Sequence, residues 1–235
     1  MSPHEILVRW YLRFNGYLGV ENFILHEPTA KGIAPGGEFD ILAVRFPFSE
    51  ERPGFKIQND EKLVDSETMK RGLVDFVIAE VKSGNHASLN KLWRQPDPDG
   101  EKRRRLKYLV QWLGPLQDQS TIERVAIALQ ERQRHIEGGY QFRLVYFCKR
   151  TTTKAVPQHV PRITFEDIAR FMVGVRSPCW KDNGFGARSA HEQWHPLIKE
   201  IWKIADPISE ITNAVKTERI LKVLDEPESS WSRKE

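Results

Sequence analysis

One stretch decides the fold: Phe76-Val77-Ile78-Ala79-Glu80-Val81-Lys82-Ser83-Gly84. It is a run of apolar residues that ends with an acid and a base two positions apart, and it predicts a buried strand with charges at its end. Because successive side chains of a strand alternate between faces, Glu80 and Lys82 share one side, roughly 7 Å apart along the chain. An unpaired charge in such a place is costly, so the pair either neutralises itself or binds another charged group, such as a metal ion or a phosphate.

A second apolar run begins with acids instead of ending with them: Gly36-Gly37-Glu38-Phe39-Asp40-Ile41-Leu42-Ala43-Val44-Arg45-Phe46. Asp40 opens this predicted strand as Glu80 closes the other. If the two strands are antiparallel neighbours, the start of one lies beside the end of the other. In that arrangement Asp40, Glu80 and Lys82 converge.

These residues resemble the pattern of the PD-(D/E)XK nuclease superfamily, an Asp on one strand and Glu-x-Lys on the next. Asp40 matches the first acid and Glu80-Val81-Lys82 the second element. The string Glu-Val-Lys-Ser-Gly, preceded by a helix that ends in Asn15-Gly16-Tyr17, is similar to archaeal-type Holliday-junction resolvases and restriction-like nucleases. The resemblance covers about residues 5 to 115. It departs from the pattern in having no Pro directly before Asp40 and a long connection at 47–75.

The resemblance implies an α/β fold with a restriction-endonuclease-like core: a helix, three strands, a helix and a later strand in a mixed sheet. We expect this core to occupy residues 1–150, with 47–75 as a solvated excursion between the second and third strands. Residues 151–224 would form a helical C-terminal extension, and 225–235 a polar tail.

The resemblance also implies an activity, the metal-dependent hydrolysis of phosphodiester bonds in DNA. Asp40 and Glu80, with the backbone carbonyl of Val81, would hold Mg²⁺, with Mn²⁺ as an alternative ion. Lys82 would orient the attacking water and stabilise the transition state. Glu5, on the first helix, is a further candidate ligand. The start Ser2-Pro3-His4-Glu5 gives Glu5 a second interpretation, because it fits a capping box.

A basic helix is predicted from Glu101 to Leu113, ended by Gly114-Pro115. Its first turns carry five basic residues, Lys102, Arg103, Arg104, Arg105 and Lys107. They could bind the phosphates of DNA, or they could form a solvated face. Both interpretations remain open at this point.

A rival motif lies near the C-terminus, where His191-Glu192-Gln193-Trp194-His195 matches the H-E-x-x-H signature of zinc proteases. Pro196 disfavours helical geometry at His195, which would break the spacing that brings both imidazoles to one ion. We therefore expect His195 to precede a helix that Pro196 begins. The other alternative is a catalytically silent nucleic-acid-binding or scaffold protein with a nuclease fold. The presence of all three charged groups favours the enzyme.

Composition limits the class of protein and its surroundings. Hydrophobic residues at 40% and charged residues at 29% are ordinary for a soluble globular chain, and no run approaches the roughly 18 apolar residues of a membrane helix. We therefore expect a cytoplasmic protein with no membrane partner. Cys148 and Cys179 belong to no paired-cysteine pattern, which argues against a disulfide framework or a thiolate zinc site. A net charge of +4 permits DNA binding without requiring it, and the sequence leaves open whether the protein is a homodimer.

Other elements follow from caps and periodicity. The predicted strands are Tyr17–His26 and Phe142–Phe147, and the predicted loops are Pro28–Pro35, 85–100 and 178–190. The first predicted helix begins after Ser2, and the second begins at the capping box Ser120-Thr121-Ile122-Glu123 and runs to about His135, where Gly138-Gly139 stops it. A third follows Thr164 and runs to Val173, ended by Gly174. A fourth runs from Pro196 to Ala205, and a last amphipathic segment reaches Leu224.

Overall fold

The computed structural model describes residues 1–29, 32–49, 58–84, 88–93, 97–149, 156–182, 194–227 and 230. Over these residues the chain is an α/β protein built on a mixed sheet of six strands. The strands are β1 (Leu18–Thr29), β2 (Gly32–Arg45), β3 (Val74–Lys82), β4 (Arg134–Glu137), β5 (Tyr140–Cys148) and β6 (Arg162–Thr164). The helices are α1 (Pro3–Phe14), α2 (Ser66–Lys70), α3 (Glu101–Leu113), α4 (Gln119–Arg132), α5 (Phe165–Phe171), α6 (Ser177–Asp182), α7 (Pro196–Ile204) and α8 (Asn213–Asp225).

The sheet has the order β1-β2-β3-β5-β4, and β6 pairs with the C-terminal end of β5. Strands β1, β2 and β3 are antiparallel neighbours, whereas β3 and β5 are parallel. Parallel neighbours need a long crossover, and α3 and α4 supply it. Helices α3 and α4 pack on one face of the sheet, and α1, α5, α7 and α8 pack on the other. Strand β3 is buried on both faces, which explains its nearly continuous apolar run.

The pairing of β2 with β3 confirms the predicted antiparallel arrangement. Ile41, which follows Asp40, lies opposite Ala79, which precedes Glu80. The fold therefore brings the start of one apolar run to the end of the other. Predicted helix α3 is also confirmed with its bounds, and Gly114 ends it in the left-handed conformation at φ 80°.

The predicted loop Pro28–Pro35 is wrong, because β1 and β2 form one long hairpin there. Pro28 lies opposite Ile33, and His26 lies opposite Pro35. Proline is compatible with a ladder at edge strands and bulges. Strand β1 is an edge of the sheet, and the register shifts between Leu25 and His26.

Helix α4 begins earlier and ends earlier than its sequence predicts. Its cap is Asp118, whose carboxylate accepts a hydrogen bond from the backbone N–H of Thr121 at 2.7 Å, so the capping box at Ser120 is wrong. The chain beyond Arg132 forms β4, which was predicted as helix. Gly138 and Gly139, at φ 54° and 92°, are the turn of the β4–β5 hairpin instead of a helix stop. A two-residue hairpin turn favours glycine because both positions need positive φ.

Within the segment 47–75, residues 58–75 contact the core at several points and also carry exposed side chains. Leu63 and Val64 are buried among the helices of the α1 face. The Tyr11 hydroxyl donates to Asp60 at 2.8 Å, which ties the segment to α1. Residues 50–57 lie outside the described part of the chain.

The capping box at Thr164 is confirmed, but the helix does not end at Gly174. A π-helical turn, Met172–Arg176, continues α5 into α6, so the predicted loop is wrong for residues 178–182. Residues 183–190 lie outside the described ranges. A glycine inside a helix lowers its stability without stopping it.

Residues 156–182 and 194–224 share the core of the N-terminal part. Trp10 of α1 contacts Trp194 with ring centroids 5.3 Å apart, and Phe14 contacts Trp202 at 5.8 Å. Strand β6 adds directly to the sheet. The helices of this segment therefore join α1 in one of the two layers that cover the sheet. Among the described residues, no helix is long and apolar enough to cross a membrane.

A buried ion pair stabilises the start of β3. Arg143 of β5 and Asp75 of β3 pair at 2.7 Å, with each side chain 4% exposed. Tyr17 donates to Asp75 at 2.5 Å, and Arg143 also donates to the carbonyl of Leu63 at 2.6 Å. This network lies at the opposite end of β3 from Glu80.

Candidate active site

Three predicted side chains meet at the carboxyl end of β3. The Nζ atom of Lys82 lies 3.6 Å from Oδ2 of Asp40 and 3.3 Å from Oε1 of Glu80. The backbone N–H of Val81 donates to Oδ2 of Asp40 at 2.6 Å, which holds that carboxylate across the strand pair. The predicted convergence of the acid pair and the lysine is confirmed.

Glu80 is the most buried of the three. The residue is 5% exposed, and its Oε1 accepts a hydrogen bond from the backbone N–H of Asn90. Its Oε2 is buried and has no hydrogen-bond partner among the described residues. Burial raises the pKa of Glu80; the charge of Lys82 and the Asn90 hydrogen bond oppose this shift only in part, and Asp40 adds to it.

A small pocket of about 10 Å³ opens over these groups, which is space for about one water molecule or one ion. Its lining consists of Glu38, Phe39, Asp40, Ile78, Ala79, Glu80, Lys82, Asn90, Leu92 and Trp93. Leu92 and Trp93 lie on a short 3₁₀ turn, Lys91–Trp93, and both are buried. Trp93 packs here as an apolar wall.

Asn90 is a site residue that sequence reasoning missed. Its contribution is a backbone N–H, which every residue except proline carries. The side chain of Asn90 is used locally, since its Oδ1 accepts from the N–H of Leu92 at 3.3 Å. Nothing in a residue pattern reports such a donor, because it is the loop path that aims it at Glu80.

Glu5 takes part in the capping box of α1. Its carboxylate accepts from the backbone N–H of Ser2 at 2.7 Å, and the Ser2 hydroxyl accepts from the N–H of Glu5. Within the described ranges, no group of three or more His, Cys, Asp or Glu side chains is placed to hold a metal ion. Glu5 therefore does not join Asp40 and Glu80, and capping accounts for it.

Two residues of the basic helix are paired with a buried acid. Glu27 of β1 is 4% exposed, and its carboxylate lies 2.9 Å from Nε of Arg105 and 3.3 Å from Nη2 of Arg104. A Cβ atom on Gly36 would come within 2.2 Å of the Glu27 side chain, so glycine leaves room for this acid. The pair attaches α3 to the β1–β2 hairpin.

The remaining basic residues of α3 contact other groups. Arg103 and Lys107 pair with Glu123 of α4 at 3.4 Å and 3.1 Å. The backbone N–H groups of Lys102 and Arg103 donate to Asp97, which caps the helix start. Both side chains of the Arg103–Glu123 pair are more than a third exposed, so a phosphate could compete for this arginine at little cost.

Two residues of the H-E-x-x-H motif, His191 and Glu192, lie outside the described part of the chain. His195 is the N-cap of α7, and its Nδ1 accepts a hydrogen bond from the N–H of Leu197 at 3.3 Å. The prediction that His195 precedes a helix begun by Pro196 is confirmed.

Comparison of the chain with family models, with curated proteins and with solved structures found no match. The functional argument therefore rests on the geometry of Asp40, Glu80 and Lys82.

Proposed function

We propose that this protein is a metal-dependent nuclease of the PD-(D/E)XK type that hydrolyses phosphodiester bonds in DNA. The observation that carries the proposal is the unpaired, buried Oε2 of Glu80, in a pocket that it shares with Asp40 and Lys82. A carboxylate that served only as a salt bridge would have both oxygens satisfied, because an orphaned buried acceptor is costly.

The donor set fits Mg²⁺. This ion prefers oxygen ligands and is usually bound through one or two carboxylates, with water and substrate phosphate completing its shell. Asp40 and Glu80 supply two carboxylates at one pocket whose volume suits one ion. The backbone carbonyl of Val81 remains a proposed third ligand, and Mn²⁺ is the alternative ion. When bound, the ion would supply Lewis acidity and offset negative charge on the phosphate.

The protein's own groups have separate tasks in this proposal. Val81 fixes the Asp40 carboxylate through its N–H, and Asn90 fixes Oε1 of Glu80 in the same way. Lys82 lies within 3.6 Å of both acids, so its ammonium is held at the edge of the pocket where a phosphate would enter. There it would orient the attacking water and stabilise the charge that develops on phosphate oxygens.

The test is cleavage of branched and linear DNA, and of RNA, by purified protein with Mg²⁺. Lys82→Ala should lower the cleavage rate by about 10²-fold or more while DNA affinity changes little, because one catalytic charge is lost from a surface with many phosphate contacts. Lys91→Ala is the matched control, since it removes an exposed lysine from the neighbouring turn. Equal rates for Lys82→Ala and the wild type would refute the proposal, and binding without cleavage by the wild type would favour a silent nuclease fold.

A further inference from the structure

A tyrosine stands beside Glu80 on the next strand of the sheet. In the parallel pairing of β3 with β5, Glu80 lies opposite Tyr146. Paired residues of neighbouring strands point to the same face. Tyr146 and Glu80 therefore rise side by side on the face covered by α3 and α4.

The polarity of this face changes at the level of Glu80. The two preceding register pairs are apolar: Phe76 lies opposite Phe142, with rings stacked 5.2 Å apart, and Ile78 lies opposite Leu144. Tyr146 then adds a hydroxyl to a completely buried ring. If packing were its whole purpose, phenylalanine would fill this place without a polar atom to satisfy.

The Tyr146 hydroxyl is also unsatisfied. It is buried and has no hydrogen-bond partner within the described part of the chain, and the same holds for Oε2 of Glu80. A potential donor and a charged acceptor are thus both unpaired at one register position. Burial raises the pKa of Tyr146, and the nearby Cys148 and Glu80 raise it further. The hydroxyl therefore keeps its proton and can donate a hydrogen bond.

We propose that Tyr146 is a positioning residue of the candidate metal site, whose hydroxyl donates through one water to Oε2 of Glu80 when a cation is bound and orients the carboxylate toward that cation. This role rests on the proposed function, because it requires a cation at Asp40 and Glu80. Hydrogen bonds from a second layer of residues are a general means of orienting metal ligands, and their loss typically weakens metal affinity by about 10- to 100-fold.

The experiment measures Mg²⁺ and Mn²⁺ binding to the metal-free protein without nucleic acid, by calorimetry and by the metal dependence of the melting temperature. Tyr146→Phe should raise the metal Kd by about 10-fold or more. Its melting temperature in EDTA should equal or exceed that of the wild type, because the variant removes an unpaired buried hydroxyl. Tyr140→Phe is the matched control: it removes a hydroxyl from the other end of the same strand and should leave the Kd unchanged.

The outcomes separate this inference from the proposed function. A wild type that binds the metal and a Tyr146→Phe variant with the same Kd would overturn the positioning role and leave the nuclease proposal intact. A lower melting temperature of the variant in EDTA, with an unchanged Kd, would also overturn it, because it would indicate a structural hydrogen bond. A wild type that binds neither ion would overturn the metal site and this role together. Recovery of the variant's cleavage rate at high Mg²⁺ would support the inference.

Discussion

Replacing Glu80 with Gln should stabilise the metal-free protein while it eliminates cleavage. The direction of this stability change follows from the raised pKa of Glu80, whose largest cause is burial. A carboxyl whose pKa is higher in the folded state than in the unfolded state opposes folding when it is ionised. Glutamine has nearly the same shape and carries no charge, so the opposition disappears.

The magnitude follows from three opposing contributions. At 3.3 Å, Lys82 attracts Oε1 of Glu80 by about 5 kcal/mol at an effective dielectric constant of about 20. Asp40, on the neighbouring antiparallel strand, repels it by about 3 kcal/mol if the carboxylates are about 5 Å apart. The residual attraction of about 2 kcal/mol is outweighed by the burial of a carboxylate with one unpaired oxygen, which costs about 3 kcal/mol or more. The expected gain for Gln is about 1 kcal/mol, or about 2–4 °C in melting temperature for a chain of this size.

The assay is a set of melting curves in EDTA and in saturating Mg²⁺. With the ion at 100 times its Kd, the wild type should gain about 2.7 kcal/mol that Glu80→Gln lacks, so the order of stability should invert. The advantage of the variant in EDTA should also shrink as the pH falls through the raised folded pKa of Glu80, and it should be absent below about pH 4.5, the ordinary pKa of glutamate, because both states are then protonated. Glu38→Gln is the matched control, since Glu38 lines the same pocket but is exposed.

One result would refute this reasoning. If Glu80→Gln is less stable than the wild type in EDTA and Mg²⁺ shifts neither protein, Glu80 is a structural partner of Lys82 and the metal site does not exist.

Two further predictions concern charges away from the pocket. Arg103→Gln should reduce the slope of log affinity for DNA against log salt by about one without changing the melting temperature, and an unaltered slope would mean that α3 does not touch DNA. Arg105→Gln should instead lower the unfolding free energy by about 1–3 kcal/mol, because it weakens the pairing of buried Glu27. Asp75→Asn should cost about 3–5 kcal/mol in urea unfolding at pH 7, since it leaves buried Arg143 without its counter-charge. Burial acts to raise the pKa of Asp75, but Arg143 outweighs it and holds that pKa below its ordinary value, so the wild type's advantage should persist to about pH 4 and shrink as the pH falls through the folded pKa.

Local patterns determined much of this protein. The apolar runs around Asp40 and Glu80 predicted β2 and β3, and the order of their charges predicted that the acids and Lys82 meet. Caps at Ser2, Thr164 and His195 placed three helix starts. These predictions succeed because strand alternation and helix capping depend on residues a few positions apart.

Only the tertiary structure decided what those elements touch. Glu27 binds Arg104 and Arg105 across 77 and 78 positions of sequence, which no local pattern reveals. Asn90 donates to Glu80 through its backbone N–H, so the residue type at position 90 gives no sign of this hydrogen bond. Tyr146 lies opposite Glu80 in the parallel pairing of β3 with β5, two strands that α3 and α4 separate in the sequence. Residue types and short spacings predict which groups carry charge, whereas long-range packing determines which charges are buried, which are paired and which remain available for a ligand.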